Sequence, residues 1–179
     1  YAGVWDTRGP SFHIDSKVER LNIHQGNVKD MKVAMTYETG KLDVMATVEN
    51  EQMQGGVLLA YDLSDSLNFL STRGQLRIDE LAAFGLDIKG GQEALETSFE
   101  IIHAGQENKS FTNLSLTDFK YTCDTATFTI DKISMEDNQK GDHNTTTLKS
   151  DVVDLFISGN FRELRPAPFV FRLMQNYLP

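Results

Sequence analysis

Apolar and polar residues alternate one for one along most of this chain, and that period limits what it can build. In Ser11–Leu21, Phe12, Ile14 and Val18 fall on one side, and His13, Asp15, Lys17 and Glu19 on the other. A period of two is a β-strand with one wet face. The pattern repeats in Met31–Tyr37, in Leu42–Val48, in Val57–Leu63, from Leu67 through Arg73-Gly74 to Ile78, and in Leu95–His103. Between Tyr37 and Leu42 lies Glu38-Thr39-Gly40-Lys41, a tight turn in which Gly supplies positive φ. Asn50–Gly56 reads as a loop, Gly26-Asn27 as a break, and Ala104-Gly105 as a stop. The count comes to about ten short strands with polar turns between them.

Strands this regular, each with one polar face, imply an all-β and mainly antiparallel architecture. Variable strand quality and loosely repeating units favour one long curved sheet over a filled sandwich or closed barrel. Asp79–Phe84 is the only helical interruption before the end, a single turn with Asp79 as its N-cap.

The last third is the most structured in outline. Tyr121–Met135 and Lys149–Phe161 read as strands around a polar loop, Glu136–Asn144. Both lose phase. Phe128 and Ile130 oppose Ile133 and Met135, and Leu148 is out of step with Val153, Leu155 and Ile157. Bulges near Asp131-Lys132 and Ser150-Asp151 would restore the faces and bend the sheet. Ala167–Leu178 changes period. Val170, Phe171, Leu173, Met174, Tyr177 and Leu178 share one side at helical spacing, with Pro168 suited to a first turn.

Charge and composition exclude several functions. A net charge of −9 over 179 residues opposes binding to nucleic acid or to an anionic membrane surface. No apolar run is long enough for a membrane-spanning helix. The single cysteine, Cys123, reads as a small hydrophobe on a strand. His13, His24, His103 and His143 are scattered and do not share metal-ligand spacing. Asp137–Asp142 resembles a calcium loop in composition but lacks the alternating ligands and the closing Glu. Asn108-Lys109-Ser110, Asn113-Leu114-Ser115 and Asn144-Thr145-Thr146 match a glycosylation pattern short enough to arise by chance. No nucleophile elbow, phosphate loop or nucleotide fingerprint is present, so the expectation is a protein that is not an enzyme and needs no cofactor.

The closing residues carry a resemblance. Phe128, Ile130, Asp131 and Ile133; then Leu148, Ser150 and Asp151; then Gly159 and Phe161; and last Tyr177, Leu178 and Pro179 fall in an order that resembles the translocation and assembly module (TamB) proteins. These are AsmA-like envelope proteins of Gram-negative bacteria. The likeness is best over Leu67–Pro179 and only general over Tyr1–Tyr61. It implies a β-taco, a long sheet curled into a groove, with a short C-terminal amphipathic helix at about 167–178. It also implies a periplasmic location within an inner-membrane-anchored protein, and transfer of phospholipid toward the outer membrane. An outer-membrane barrel protein of the assembly-factor type is the implied partner, met through a part absent here. On this reading residues 1–179 are one β-rich segment of a larger repetitive protein, in keeping with the start at Tyr1 and the lack of an initiator Met.

Acyl chains need a continuous dry wall, and each CH₂ removed from water contributes about 0.8 kcal/mol. The alternation nominates Val33, Met35, Val44, Leu59, Phe99, Ile101, Leu116, Phe128, Ile130, Leu155 and Ile157 as lipid-facing. The other reading is a structural spacer or protein-binding β-sandwich module of an exported bacterial protein. There the same residues are core between two sheets about 10 Å apart.

Overall fold

A computed structural model gives the fold and describes residues 2–6, 9–63, 68–86, 91–106 and 109–160, with 2–6 and Gly9 by backbone alone. Eleven strands follow one another: β1 (Ala2–Asp6), β2 (Gly9–Ile23), β3 (Gly26–Glu38), β4 (Lys41–Glu49), β5 (Met53–Asp62), β6 (Asn68–Ile78), β7 (Glu93–Gln106), β8 (Lys109–Cys123), β9 (Ala126–Lys140), β10 (His143–Ser150) and β11 (Asp154–Gly159). They form one antiparallel sheet whose spatial order is the order of the chain. β1 and β11 are its two edges, so it is not closed into a barrel. The architecture is all-β, as the alternation requires.

Several strands are longer than the sequence suggests, because polar residues here extend strands instead of ending them. Gly55 and Gly56 lie inside β5, and β7 passes through Ala104 and Gly105. Tyr121–Met135 is not one strand. It turns at Asp124-Thr125, where Asp124 takes φ 51°, and divides between β8 and β9. Glu136–Asn144 is not a loop. Glu136–Lys140 completes β9 and pairs with β10, leaving only Gly141-Asp142 as the turn. The described part of Lys149–Phe161, up to Asn160, is not a bulged strand either. Ser150–Val153 is a hairpin turn: the Ser150 hydroxyl accepts from the Val152 and Val153 amides at 3.2 and 3.0 Å, and the Ser150 amide donates to the Val153 carbonyl at 2.8 Å. A serine followed by Asp offers the backbone a local partner, and here that outweighs the strand propensity of Val-Val.

The helical turn is a short 3₁₀ turn, Leu81–Phe84. Its N-cap is Glu80, not Asp79, and no side chain caps it. Packing holds it. Leu81 and Phe84 are 1% and 6% exposed, and Gly85 ends it at φ 74°. The Ala83 carbonyl accepts from the Gln25 amide at 3.0 Å, and Gln52 donates to Glu80 at 2.9 Å. The turn therefore reaches from β6 back over the ends of β5 and β4 to the β2–β3 turn. Gly26 is necessary there, because a Cβ would stand 2.6 Å from the Phe84 ring.

One band of the sheet is irregular. Asp30 in β3 and Asp118 in β8 take φ 55° and 54°, conformations unusual inside strands. The β7–β8 register slips between Glu96 and Ser98, leaving an extra residue in β8. The Thr97 hydroxyl covers the slip by donating to the Thr117 carbonyl at 3.2 Å. β9 follows β8 through it, so Ile130 and Ile133 are both buried. The phase break at Asp131 is therefore real, but the extra residue sits in β8 opposite it. In β5 and β6, a Cβ on Gly55 would lie 2.4 Å from the Gln75 carbonyl, and one on Gly74 2.3 Å from that of Gly56. The row Lys32–Thr47–Gly56–Gln75–Ser98–Thr117–Lys132 joins these places, each within two residues of it.

The buried core clusters beside this band and under the 3₁₀ turn: Val28, Ile78, Leu81, Phe84, Phe119, Tyr121, Ile130, Ile133, Met135 and Leu148. Its members come from β3, β6 and β8–β10 as well as the turn. Among the described residues there is one sheet and no second sheet facing it. The helix expected at Ala167–Leu178 lies outside the described residues.

Candidate functional site: an apolar face across the sheet

Residues directly opposite on neighbouring strands put their side chains on the same face. The register can therefore be followed across the whole sheet. One row runs Ile14–Met35–Val44–Leu59–Thr72–Ile101–Leu114–Met135–Leu148–Leu155. It crosses from β2 to β11 with Thr72 as its one polar member. The next row toward the 3₁₀ turn runs Val33–Ala46–Val57–Gly74–Phe99–Leu116–Ile133. Gly74 is covered there by the Phe99 ring, whose atoms come within 2.9 Å of where a Cβ would be.

All eleven residues nominated from the sequence fall on this face. Val33, Met35, Val44, Leu59, Phe99, Ile101 and Leu116 stand in the two rows, as does Leu155. Phe128 lies opposite Tyr121, Ile130 opposite Phe119, and Ile157 opposite Thr146. Ile130 is buried at 7% exposure, and the others are half-buried. They are neither a closed core nor fully open to water.

The structure adds residues that the alternation did not single out. Phe12 and Tyr37 stack at 5.3 Å between centroids and begin a third row, continued by Leu42, Tyr61 and Leu70. From β7 to β10 that row turns polar, through His103, Thr112, Asp137 and Thr146. His103 Nδ1 and the Thr112 hydroxyl are 2.9 Å apart, and the Thr146 hydroxyl donates to Asp137 at 2.6 Å. The sequence reading placed Asp137 in a loop, so its face had no meaning there.

The second addition is a buried pair. Tyr121 donates to Glu93 at 2.6 Å, with the two residues 1% and 2% exposed. Burial, then the hydrogen bond to Glu93, pushes the Tyr121 phenol well above its ordinary pKa. Glu93 was legible in principle, since it is in phase with Leu95 and Thr97. Cys123 is half-buried beside Tyr121 on the same face.

The opposite face is polar, yet it holds shallow depressions. One, about 550 Å³, is lined by Met45, Leu58, Ala60, Ser71, Arg73 and Glu100, among others. Met45 and Leu58 are 48% and 43% exposed there. Another, about 450 Å³, lies along the irregular band, by Gln54, Gln75, Arg77, Glu96 and Asp118. Among the described residues no group of His, Cys, Asp or Glu is placed to hold a metal ion, and no helix is long and apolar enough to cross a membrane. No protein-family model, curated protein or solved structure matches the chain.

Proposed function

We propose that this chain is a segment of a translocation-and-assembly-module type envelope protein, and that its apolar face holds the acyl chains of phospholipid in transit across the periplasm. The observation that carries the reading is the apolar row from Ile14 to Leu155, half-buried for most of its length, with no second sheet over it among the described residues. A continuous apolar strip of this width is more than scattered surface hydrophobes account for. In this reading the sheet is a β-taco, folded along the irregular band. Bulges and glycine kinks bend strands, and here they line up across neighbouring strands instead of falling at random. The core packed beside the band, together with the 3₁₀ turn, would seal one lip of the trough. Passage to an outer-membrane barrel partner, and anchorage in the inner membrane, belong to parts of the protein beyond this chain.

The test is native mass spectrometry of the purified chain with phosphatidylethanolamine and phosphatidylglycerol. Bound phospholipid is expected, and Leu59→Asn with Ile101→Asn should reduce its retention about tenfold while circular dichroism stays that of a sheet. A lipid-free spectrum, or retention unchanged in the double variant, would sink the reading.

A second reading, a spacer or protein-binding module, draws on the other face. Met45 and Leu58 are exposed there beside a depression flanked by Arg73 and Glu100. Loss of partner capture by Met45→Lys with Leu58→Lys, without loss of lipid, would favour it.

A further inference from the structure

We propose that the lipid held on the apolar face is one with an ammonium head group, seated against Asp137. This rests on the lipid reading above and adds the class of head group.

The argument is one of charge on a single face. From β2 to β11 the positions that register places on the apolar face include two carboxylates, Glu93 and Asp137, and no lysine or arginine. The basic residues of these strands fall on the other face. Lys32, Lys132 and Lys149 alternate with the apolar positions and so point to the opposite face, and Arg73 pairs with Glu100 there. An anionic head group on the apolar face would find a carboxylate and no cation. An ammonium would find its complement.

The two carboxylates are not equivalent. Glu93 is buried against Tyr121 beside the 3₁₀ turn, where no head group can reach. Asp137 is half-buried in the second row from the Gly141-Asp142 turn, just inside that of Gln139 and Asn144. Its neighbours along that row are hydroxyls and an imidazole: Thr146 donates to it, and Thr112 stands between it and His103. One row further out, Ser110 donates to Gln139 at 3.2 Å. Toward the 3₁₀ turn, Leu114, Met135 and Leu148 take over directly. A polar margin thus adjoins an apolar floor within a single step of the strand, which is the profile of an amphiphile lying along the strands with its head at Asp137. In β2–β6 the same row is Phe12, Tyr37, Leu42, Tyr61 and Leu70, which offers no such head-group site. The head would therefore settle over β7–β10.

Competition between phosphatidylethanolamine and phosphatidylglycerol of identical acyl chains tests this, read by native mass spectrometry of the intact chain. The wild type is expected to retain phosphatidylethanolamine about tenfold over phosphatidylglycerol, the ratio a charge-assisted hydrogen bond supplies. Asp137→Asn should bring the two within about twofold, and Asp137→Lys should reverse the order. A reversal cannot come from misfolding. Equal retention by the wild type, preference for phosphatidylglycerol, or a ratio unmoved in both variants would overturn the head-group assignment and leave the lipid reading standing. Retention of neither lipid would overturn both.

Discussion

At the scale of single residues, the buried Tyr121–Glu93 pair is the strongest commitment in the sheet. A carboxylate at 2% exposure needs hydrogen-bond partners, and a phenol donates to it at 2.6 Å. Removing the donor takes a short hydrogen bond from a buried carboxylate oxygen, which costs more than losing an exposed one. Tyr121→Phe is therefore expected to destabilise the fold by about 1–3 kcal/mol in urea unfolding. Replacing both partners, as Tyr121→Phe with Glu93→Leu, should recover most of that. Additive losses in the double variant would show that the pair is not coupled. The pH dependence has a definite sign. Folding holds the Tyr121 phenol protonated beyond its ordinary range. Its contribution is then full below about pH 10 and is lost as pH rises further, because only the unfolded chain ionises there. Tyr121→Phe should show a shallower alkaline loss of stability than the wild type. At the surface, the Lys17–Asp30 pair at 2.6 Å draws the Asp30 pKa down and the Lys17 pKa up, chiefly through their hydrogen bond. Being exposed, it contributes little to stability, but it joins β2 to β3 at the irregular band.

At the scale of elements, what distinguishes these strands is where they stop being regular. β3, β5, β6 and β8 each carry a device that an ideal strand would not: an Asp at positive φ, a glycine under a neighbour's carbonyl, or an extra residue. Each costs something locally, and together they let apolar side chains on both sides of the band share one core. Val28 and Met31, Leu116 and Phe119, and Ile130 and Ile133 are pairs that strict alternation would send to opposite faces. Gly74 is the sharpest case. A methyl group there would lie 2.3 Å from the Gly56 carbonyl and against Phe99, so Gly74→Ala must push β5 and β6 apart. A loss of about 1–3 kcal/mol is expected in thermal or urea unfolding. Gly56→Ala, whose Cβ would meet nothing closer than 3.6 Å, should be far milder. Equal effects at the two positions would mean that close approach is not what selects glycine at 74.

At the scale of the whole molecule, stability should be unevenly spread. The buried residues gather around β8, β9 and the 3₁₀ turn, whereas β2, β4 and β5 contribute no buried side chain to the core. Hydrogen exchange is expected to follow. Amides of Phe119, Tyr121, Ile130 and Ile133 should exchange at least an order of magnitude more slowly than those of Phe12, Ile14, Val44 and Leu59. Uniform protection would imply that the half-buried rows are covered by more than the sheet itself.

The alternation by itself determined that this chain is all-β, antiparallel and one-sided. Side chains two apart share a face whatever the tertiary structure, so all eleven nominated residues could be assigned together. It also located the phase break at Asp131, because the odd spacing between Phe128, Ile130 and Ile133, Met135 is visible in a string of letters. It could not place the ends of strands. Glu136–Lys140 looks like a loop until β10 supplies its partners, and Ser150-Asp151 looks like a bulge until the Ser150 hydroxyl is seen to close a turn. The meaning of Asp137 and Glu93 was hidden for the same reason. A polar residue's role in a sheet depends on which strand lies opposite, and hydrogen bonding between distant segments decides that. Only the tertiary structure, then, turned a period of two into one open sheet with an apolar face, a polar margin and a band where the strands are irregular.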